Sequence, residues 1–466
     1  MFVCSGSADG IELRKVSYGQ AILKVGDPIK VLPNCRNFTF APNFNFVAFY
    51  TRSNVRSKEF SDKVINVFAF DPNTGNMSQI QNIQVPNIVQ VKFSPKGTYF
   101  ALILRKNSLT DEQKIPLIQI YKTGGELVRS FNYSHSKIPE LYWSDDELLF
   151  ASTYSGGIRF IKTLPDGNEE TQNIELPNLL AASFSCNRGV TRFAVVYDDK
   201  SGEAKKMKIF EYPNFNRHLS YRPVMVGETF TITISPNGSS AIAIGTKNIS
   251  NDSYFGETFA YYLNVQGQQR LNLKKSGPVH AVQYSQTGDR FVTIAGDVPP
   301  AVTVNFDKIG SQLEIGQFSY NSIRFSPTNS LIAIGGFGNF TGEFQVFDTQ
   351  TRQKISDGRA QCTSEWDWSP CGRLILSAVL YPKMMVSNEI RIFNHMSQIV
   401  FSLKMNELTQ CEWVGLKNPL PLPKIAAPTK PKAPPSAYVP PHLRAAAANS
   451  QQSNPAPKTP PGFSRK

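Results

Sequence analysis

The 466-residue chain has little charge: Asp, Glu, Lys and Arg together make up 18% of it. That falls below the ~25% of an ordinary soluble domain and argues against long charged helices or coiled coils. Its six cysteines, at positions 4, 35, 186, 362, 371 and 411, include no pair at CxxC spacing, so no zinc or redox motif is read. The five histidines (135, 218, 280, 395 and 442) are widely separated, and HExxH, GxSxG and GxxxxGK[S/T] do not occur. The sequence therefore points to no metalloprotease, serine hydrolase or P-loop site. There is no run of ~18 apolar residues to span a membrane, and Met1–Gly10 lacks a basic segment followed by an apolar one. A cytoplasmic protein with reduced thiols is expected, with no enzyme activity, no cofactor and no membrane contact.

What is present is a large core. Hydrophobic residues make up 41% of the chain, with 32 Phe and 17 Tyr, which excludes a mostly disordered chain. The net charge is +13, unevenly placed: residues 419–466 hold seven Lys or Arg and no acid, leaving +6 for the first 418. Thirteen of the 32 prolines lie in the same 48 residues. That composition cannot bury enough apolar surface to order itself, so 419–466 is read as a disordered basic tail and 1–418 as the folded domain.

One short pattern recurs through the folded part: an aromatic or aliphatic residue, a small residue, then Pro or another turn former, often with Gly. It occurs as Phe40-Ala41-Pro42-Asn43, Phe93-Ser94-Pro95-Lys96-Gly97, Trp143-Ser144-Asp145-Asp146 and Phe184-Ser185-Cys186-Asn187. It returns as Ile234-Ser235-Pro236-Asn237-Gly238, Tyr284-Ser285-Gln286-Thr287-Gly288, Phe325-Ser326-Pro327-Thr328 and Trp368-Ser369-Pro370-Cys371-Gly372. The spacings are 53, 50, 41, 50, 50, 41 and 43 residues, close to the ~40–45 of propeller blades with four strands each. Each copy has the chemistry of a hairpin turn between alternating strands. A second element, such as Val67-Phe68-Ala69-Phe70-Asp71 or Val346-Phe347-Asp348, ends each third strand.

Eight motifs give eight blades, and the chain ends supply a ninth. Phe2–Leu13 reads as a second and third strand with no first strand, while Leu408–Val414 reads as a lone first strand with Trp413 in the aromatic position. Joined, they complete one blade and remove the open sheet edges. The expected fold is all-β, a single closed β-propeller of nine blades, with eight as the alternative count. The repeating aromatics are expected to fill the core between blades rather than to stack on bases.

Function is sought in the loops between second and third strands, which share one face of a propeller. Residues 51–63 offer Arg52, Arg56, Lys58 and Lys63; 105–114 offer Arg105 and Lys106; 198–208 offer Lys205 and Lys206. Their net charges are +2, +1 and +1, a pattern that attracts phosphate or is simply a solvated mixed face. In the tail, Lys430 and Lys432 precede a patch containing Tyr438, Pro440, Pro441 and Arg444, suited to docking as a linear motif or serving as a linker. Gly336-Phe337-Gly338-Asn339-Phe340-Thr341-Gly342 misses a dinucleotide fingerprint by one place and lies between strands, not before a helix.

Several stretches resemble the eukaryotic translation initiation factor 2A family: Tyr212-Pro213-Asn214-Phe215, Tyr254–Thr258, Gly277–Val282, Ala333–Gly342 and Ala437–Arg444. The resemblance covers roughly residues 1–444 and is weaker in the first third. It implies a nine-bladed propeller that binds the small ribosomal subunit. It also implies help in delivering initiator methionyl-tRNA without a GTP-dependent ternary complex. Messenger RNA and other initiation factors follow as further partners of a monomer. Family members continue into a long Lys-rich region beyond the Pro-Pro patch, and contacts made by that region are not expected of the residues here. Two other classes stay open: a protein-interaction scaffold, and a propeller hydrolase, which needs carboxylates converging in the central channel.

Overall fold

The computed structural model describes residues 1–420 apart from 20–21, 33–34, 51–63, 86–87, 106–115, 133–137, 165–166, 201–203, 248–256, 268–276, 298, 307–311 and 382. The described residues form 35 strands and no helix, arranged in nine antiparallel sheets. Eight sheets have four strands; the sixth shows three, and residues 268–276, where a fourth would fall, lie outside the described part. The nine-bladed propeller is therefore the fold, and the eight-bladed alternative is set aside.

Blade 1 is composite. Its first strand is Gln410–Val414, and its others are Phe2–Ser7, Gly10–Gly19 and Ile22–Leu32. Phe2 pairs with Val414, Cys4 with Glu412 and Gly6 with Gln410 in antiparallel register. Blades 2 to 9 follow in order, with first strands Asn37–Phe40, Ile88–Phe93, Leu141–Trp143, Leu179–Asn187, Thr229–Ile234, Val279–Tyr284, Ser322–Phe325 and Glu365–Trp368. First strands of neighbouring blades lie side by side around the axis. The compact unit runs from Met1 to Leu420, where the amides of Asn418 and Leu420 donate to the carbonyls of Pro370 and Cys371 on the blade 9 turn.

The burial pattern explains the sequence. Second strands such as Leu331–Gly335 and Leu374–Val379 are buried at every position. Neighbouring blades cover both their faces, so they read as unbroken apolar runs. Fourth strands face solvent, and Met77–Gln84 accordingly has the polar sequence MSQIQNIQ. The aromatic positions fill the space between blades, as expected: Phe93, Trp143, Tyr284, Phe325, Trp368 and Trp413 are all buried. Two of the tryptophans also cross-link blades. Trp368 Nε1 donates to the Arg324 carbonyl of blade 8 at 3.1 Å, and Trp413 Nε1 donates to the Asp367 carbonyl of blade 9 at 3.3 Å.

The small residue of the motif has a specific task. In six blades its serine hydroxyl accepts a hydrogen bond from the amide five residues on. Tyr99 donates to Ser94 at 2.9 Å, Leu149 to Ser144 at 3.0 Å, and Ser240 to Ser235 at 3.0 Å. Arg290 donates to Ser285 at 3.4 Å, Leu331 to Ser326 at 3.1 Å, and Leu374 to Ser369 at 3.0 Å. The clasp closes the turn where it is sealed from water. The next residues link turn to turn: Asn187 Nδ2 donates to the Asn237 carbonyl at 3.3 Å, and Asn237 Nδ2 to the Gly288 carbonyl at 3.0 Å.

Blade 5 departs from the motif. Its first strand runs on through Asn187, and Arg188 and Gly189, at φ 52° and 77°, make a two-residue turn of the type that favours positive φ at both positions. Ser185 consequently clasps nothing in its own turn and donates to the Pro236 carbonyl of blade 6 at 2.8 Å.

Two substitutions test these constraints. Ser326→Ala leaves the buried Leu331 amide without its side-chain acceptor and is expected to cost about 1 kcal/mol, read as a lower urea midpoint at unchanged slope. At Gly6 an added Cβ would sit 2.1 Å from the Arg36 carbonyl oxygen. Gly6→Ala is therefore expected to cost about 2 kcal/mol or more and to open the composite blade, read as hydrogen exchange accelerated first in Phe2–Ser7 and Gln410–Val414.

Candidate nucleic-acid interface

The described residues place a basic and aromatic surface on the outer edge of blade 5. Its third strand, Lys205–Glu211, has the sequence KKMKIFE. Strand alternation sends Met207 and Ile209 into the core facing blade 6. Lys206, Lys208 and Phe210 take the other side, toward blade 4. Opposite Lys208 stands Tyr221 of the fourth strand, Ser220–Val224. The Lys208 ammonium lies 5.5 Å from the Tyr197 ring centre and 5.9 Å from those of Phe210 and Tyr221, a cation held over aromatic faces. His218 meets Phe210 and Tyr221 edge-on at 6.4 and 6.1 Å. Burial, and secondarily Lys208, lower its pKa. Arg222 stands over the Tyr261 ring of blade 6 at 5.2 Å. Arg217, His218 and Tyr221 are exposed.

A second feature has mixed charge. A cavity of about 950 Å³ lies among the first strands of blades 8, 9 and 1 and the loops beside them. Three carboxylates line it, Glu365 and Asp367 from blade 9 and Glu412 from blade 1, together with Lys383 and with Arg324, which stands 5.6 Å over the Trp366 ring. Asp367 accepts from the amide of Trp368 at 2.8 Å and Glu412 from Gln410 Nε2 at 2.7 Å, both neutral donors. These side chains reach solvent through the open side of the cavity. Partial desolvation by its walls raises the pKa of Asp367 against the pull of Arg324 and Lys417, and desolvation together with Glu365 and Asp367 raises that of Glu412. Among the described residues no three His, Cys, Asp or Glu are placed to hold a metal ion.

The residues picked from the sequence separate. Arg52, Arg56, Lys58 and Lys63 (within 51–63) and Lys106 lie outside the described residues, as do Lys430, Lys432, Tyr438, Pro440, Pro441 and Arg444. Arg105 is exposed just past the second strand of blade 3. Lys205 and Lys206 are not loop residues. Both are half-buried at the start of the third strand of blade 5, and Lys206 is ion-paired with Asp199. The structure thus groups Lys206 with Lys208 on the blade 4 side of the strand, sets Lys205 on the opposite side with Met207 and Ile209, and leaves Arg105 apart on blade 3. Tyr221, His218 and Arg222 escaped the loop search because they belong to a fourth strand and its approach. The Lys-x-Lys alternation at 206 and 208 was the signal that could have found the face.

The stretches that suggested a family have structural tasks. Phe215 packs on Phe160 and Phe193 at 5.0 and 6.0 Å, locking blade 4 to blade 5. Phe337 packs on Trp366 at 4.9 Å, and with Gly338 and Asn339 it walls the mixed-charge cavity.

The closed ring and its composite blade define the class: a nine-bladed β-propeller built from turn-clasped repeats. A solved structure described as a eukaryotic initiation factor matches this fold with a TM-score of 0.73 at 21% identity, covering 88% of this chain and 98% of the other. The family model described as Eukaryotic translation initiation factor eIF2A matches residues 227–411. Eukaryotic translation initiation factor 2A of Dictyostelium discoideum is 28% identical over 401 residues, covering 82% of this chain and 64% of the relative. That of Schizosaccharomyces pombe is 27% identical over 387 residues, 81% of this chain and 64% of the relative. In Saccharomyces cerevisiae the match is 33% over 187 residues, 38% of this chain and 29% of the relative. Over most of its length the chain is thus similar to proteins described as eukaryotic translation initiation factor 2A. It spans 64% of the length of the first two relatives.

The raised carboxylates set a pH dependence. With folded pKa values above the ordinary carboxylate range, Asp367 and Glu412 bind more protons in the folded chain than in the unfolded one over the window between the two values. Their contribution to stability is therefore present below the unfolded pKa, ~4, and is lost as pH rises through the folded value. Glu412→Gln is expected to raise the melting temperature at pH 7 and leave it unchanged near pH 3.5, measured by thermal denaturation at both.

Proposed function

We propose that the chain is the propeller of a translation initiation factor that acts by binding rather than by catalysis. It docks on the small ribosomal subunit and assists delivery of initiator methionyl-tRNA without a GTP-dependent ternary complex. The observation that carries this reading is the extent of the family likeness: with the Dictyostelium relative it runs over 401 residues, nearly the length of the nine-bladed unit. Its site of action is the cytoplasm, and its other partners are messenger RNA and further initiation factors, met as a monomer.

The mechanism rests on rigidity and charge. A closed ring holds its edges at fixed spacing, so a contact on one blade registers the whole disc. On blade 5, Lys206 and Lys208 on one face of the third strand, and Lys205 on the other, supply cations for phosphate. Tyr221 and His218 supply faces on which unpaired bases stack. Arg105 adds a cation on blade 3. The seven tail cations form a second, sequence-independent anchor.

Co-sedimentation with purified small subunits across a salt series tests the reading. Saturable pelleting that weakens steeply with salt is expected, with a log–log slope of about −0.7 to −0.9 per phosphate neutralised. Lys205→Ala/Lys206→Ala/Lys208→Ala should flatten that slope by roughly one unit for each phosphate left without its lysine. Tyr221→Ala should weaken binding by about 1–3 kcal/mol with little change in slope, as removal of a stacking ring does. Absence of pelleting even at low salt overturns the proposal.

A further inference from the structure

A cation on blade 4 stands without an anionic partner. The blade's third strand, Gly157–Thr163, sends Ile158 and Phe160 into the core shared with blade 5 and Ile161 into the core shared with blade 3. Arg159 lies on the Ile161 side and is exposed. Its guanidinium stands 5.8 Å over the ring centre of Phe131, the last residue of the fourth strand of blade 3, Leu127–Phe131. Phe131 in turn stacks on Phe150 at 6.1 Å with the planes 6° apart, so the ring beneath the guanidinium is held from blade 4 as well. Among the described residues Arg159 has no carboxylate at ion-pair distance and no hydrogen-bond acceptor. Its N–H donors are uncommitted, and a guanidinium carries several in a fixed fork.

Arg159 lines a cavity of about 200 Å³ between blades 3 and 4, and among the described residues no other charged side chain does. The polar groups beside it offer donors. Asn132 accepts from the Leu117 amide through Oδ1 at 3.3 Å, which leaves its Nδ2 to donate. Thr153 Oγ1 accepts from the Glu140 amide at 2.9 Å, which leaves its O–H, and the Ser155 hydroxyl is exposed in the same wall. The fourth strand of blade 4 sets Asn173 opposite Arg159 and Glu175 two residues on. The Glu175 carboxylate accepts from the Tyr154 hydroxyl at 3.0 Å and is not part of the wall. One cation over an aromatic ring, ringed by donors, is chemistry for an anion.

Size narrows the anion. The cavity is smaller than the ~300–1,000 Å³ of pockets that enclose whole small molecules, yet several times the ~30 Å³ share of one water. It suits a single anionic group presented by something larger. A second cation stands at the same end of the neighbouring blade. Ile103 pairs with Ile118, and Ile118 with Phe131, so the exposed Arg105, two residues beyond Ile103, projects past the end that carries the Phe131 ring. Cations on adjacent blade ends suit a polymer with a phosphate at every unit.

We propose that this cavity is a backbone-phosphate site for single-stranded RNA. Arg159 receives one phosphate through its fork, Asn132 and Ser155 donate to the remaining oxygens, and Arg105 meets a neighbouring phosphate. The site carries no base readout and sets the path of the strand across blades 3 and 4. It rests on the RNA-binding reading above and adds to it a contact absent from the loop cations.

The test is fluorescence anisotropy of a fluorescein-labelled uridine 20-mer RNA with the full chain across a salt series. Arg159→Gln is expected to bind about tenfold more weakly at low salt, as loss of charge-assisted hydrogen bonds implies, and to flatten the log–log slope by about 0.7, the value for one phosphate on a single strand. Arg159→Lys should keep the slope and lose severalfold in affinity, because an ammonium lacks the fork. Ser155→Asp, at an exposed turn position, puts a carboxylate in the wall and should match Arg159→Gln. Arg352→Gln, an exposed cation on blade 8, is the control for net charge. Unchanged affinity and slope in Arg159→Gln overturn the proposal, as do equal flattening by Arg352→Gln and no binding by the parent. An equal loss for a 20-mer with an uncharged methylphosphonate backbone also overturns it, since the contact would then be to bases. So does loss of affinity for a phosphoserine peptide with RNA binding intact, which would make a protein the occupant. Small-subunit pelleting separates this site from the ribosome reading. Pelleting by parent and Arg159→Gln with equal slopes sinks the site and leaves the reading, while a parent that binds the 20-mer through Arg159 but does not pellet sinks the reading and leaves the site.

Discussion

Everything in this molecule depends on one antiparallel pairing between segments some four hundred residues apart. Phe2–Gly6 and Gln410–Val414 form a single ladder, and nothing in the chain between them can replace it. The second strands are buried by neighbouring blades rather than by their own sheet. Opening the ring would expose apolar surface on both blades that flank the gap and leave an unpaired sheet edge. Blade 1 is therefore a lock as well as a repeat. The tight approach of Gly6 to the Arg36 carbonyl and the indole bond of Trp413 to blade 9 lie at the same blade.

A ring closed this way separates its surfaces. The inner edge of blades 8, 9 and 1 sets three carboxylates beside Arg324, Lys383 and aromatic rings; the outer edge of blade 5 is cationic and aromatic. The turns between first and second strands are committed to one another, through the serine clasps and the asparagine links from blade to blade. They hold the disc stiff and leave binding to the edges and to the opposite loops.

The fold was legible because its repeat unit carries a physical mechanism. A turn former after a buried serine, closing two alternating strands, reads the same in isolation as in the ring. The composite blade was legible because each end of the chain carried the strands the other lacked. The binding surfaces were less so. Glu365, Asp367 and Glu412 converge only after closure brings blade 9 beside blade 1, and their separation in sequence gives no hint of it. Lys205 and Lys206 were chosen as loop cations, yet the third strand of blade 5 starts at Lys205 and pairing with Asp199 holds Lys206. The near-fingerprint at Gly336–Gly342 was rightly placed between strands, but its work is to set Phe337 against Trp366.

The lock also fixes an order of events during synthesis. Phe2–Ser7 is made first, and its partner strand leaves the ribosome only after more than four hundred residues have been added. At ~5–20 residues per second that is roughly 20 to 80 s. Throughout that interval the opening strand has one ladder edge without its native partner, so premature pairing with another chain competes with the chain's own last strand. Translation speed thus becomes a variable in how much of this protein reaches its closed form.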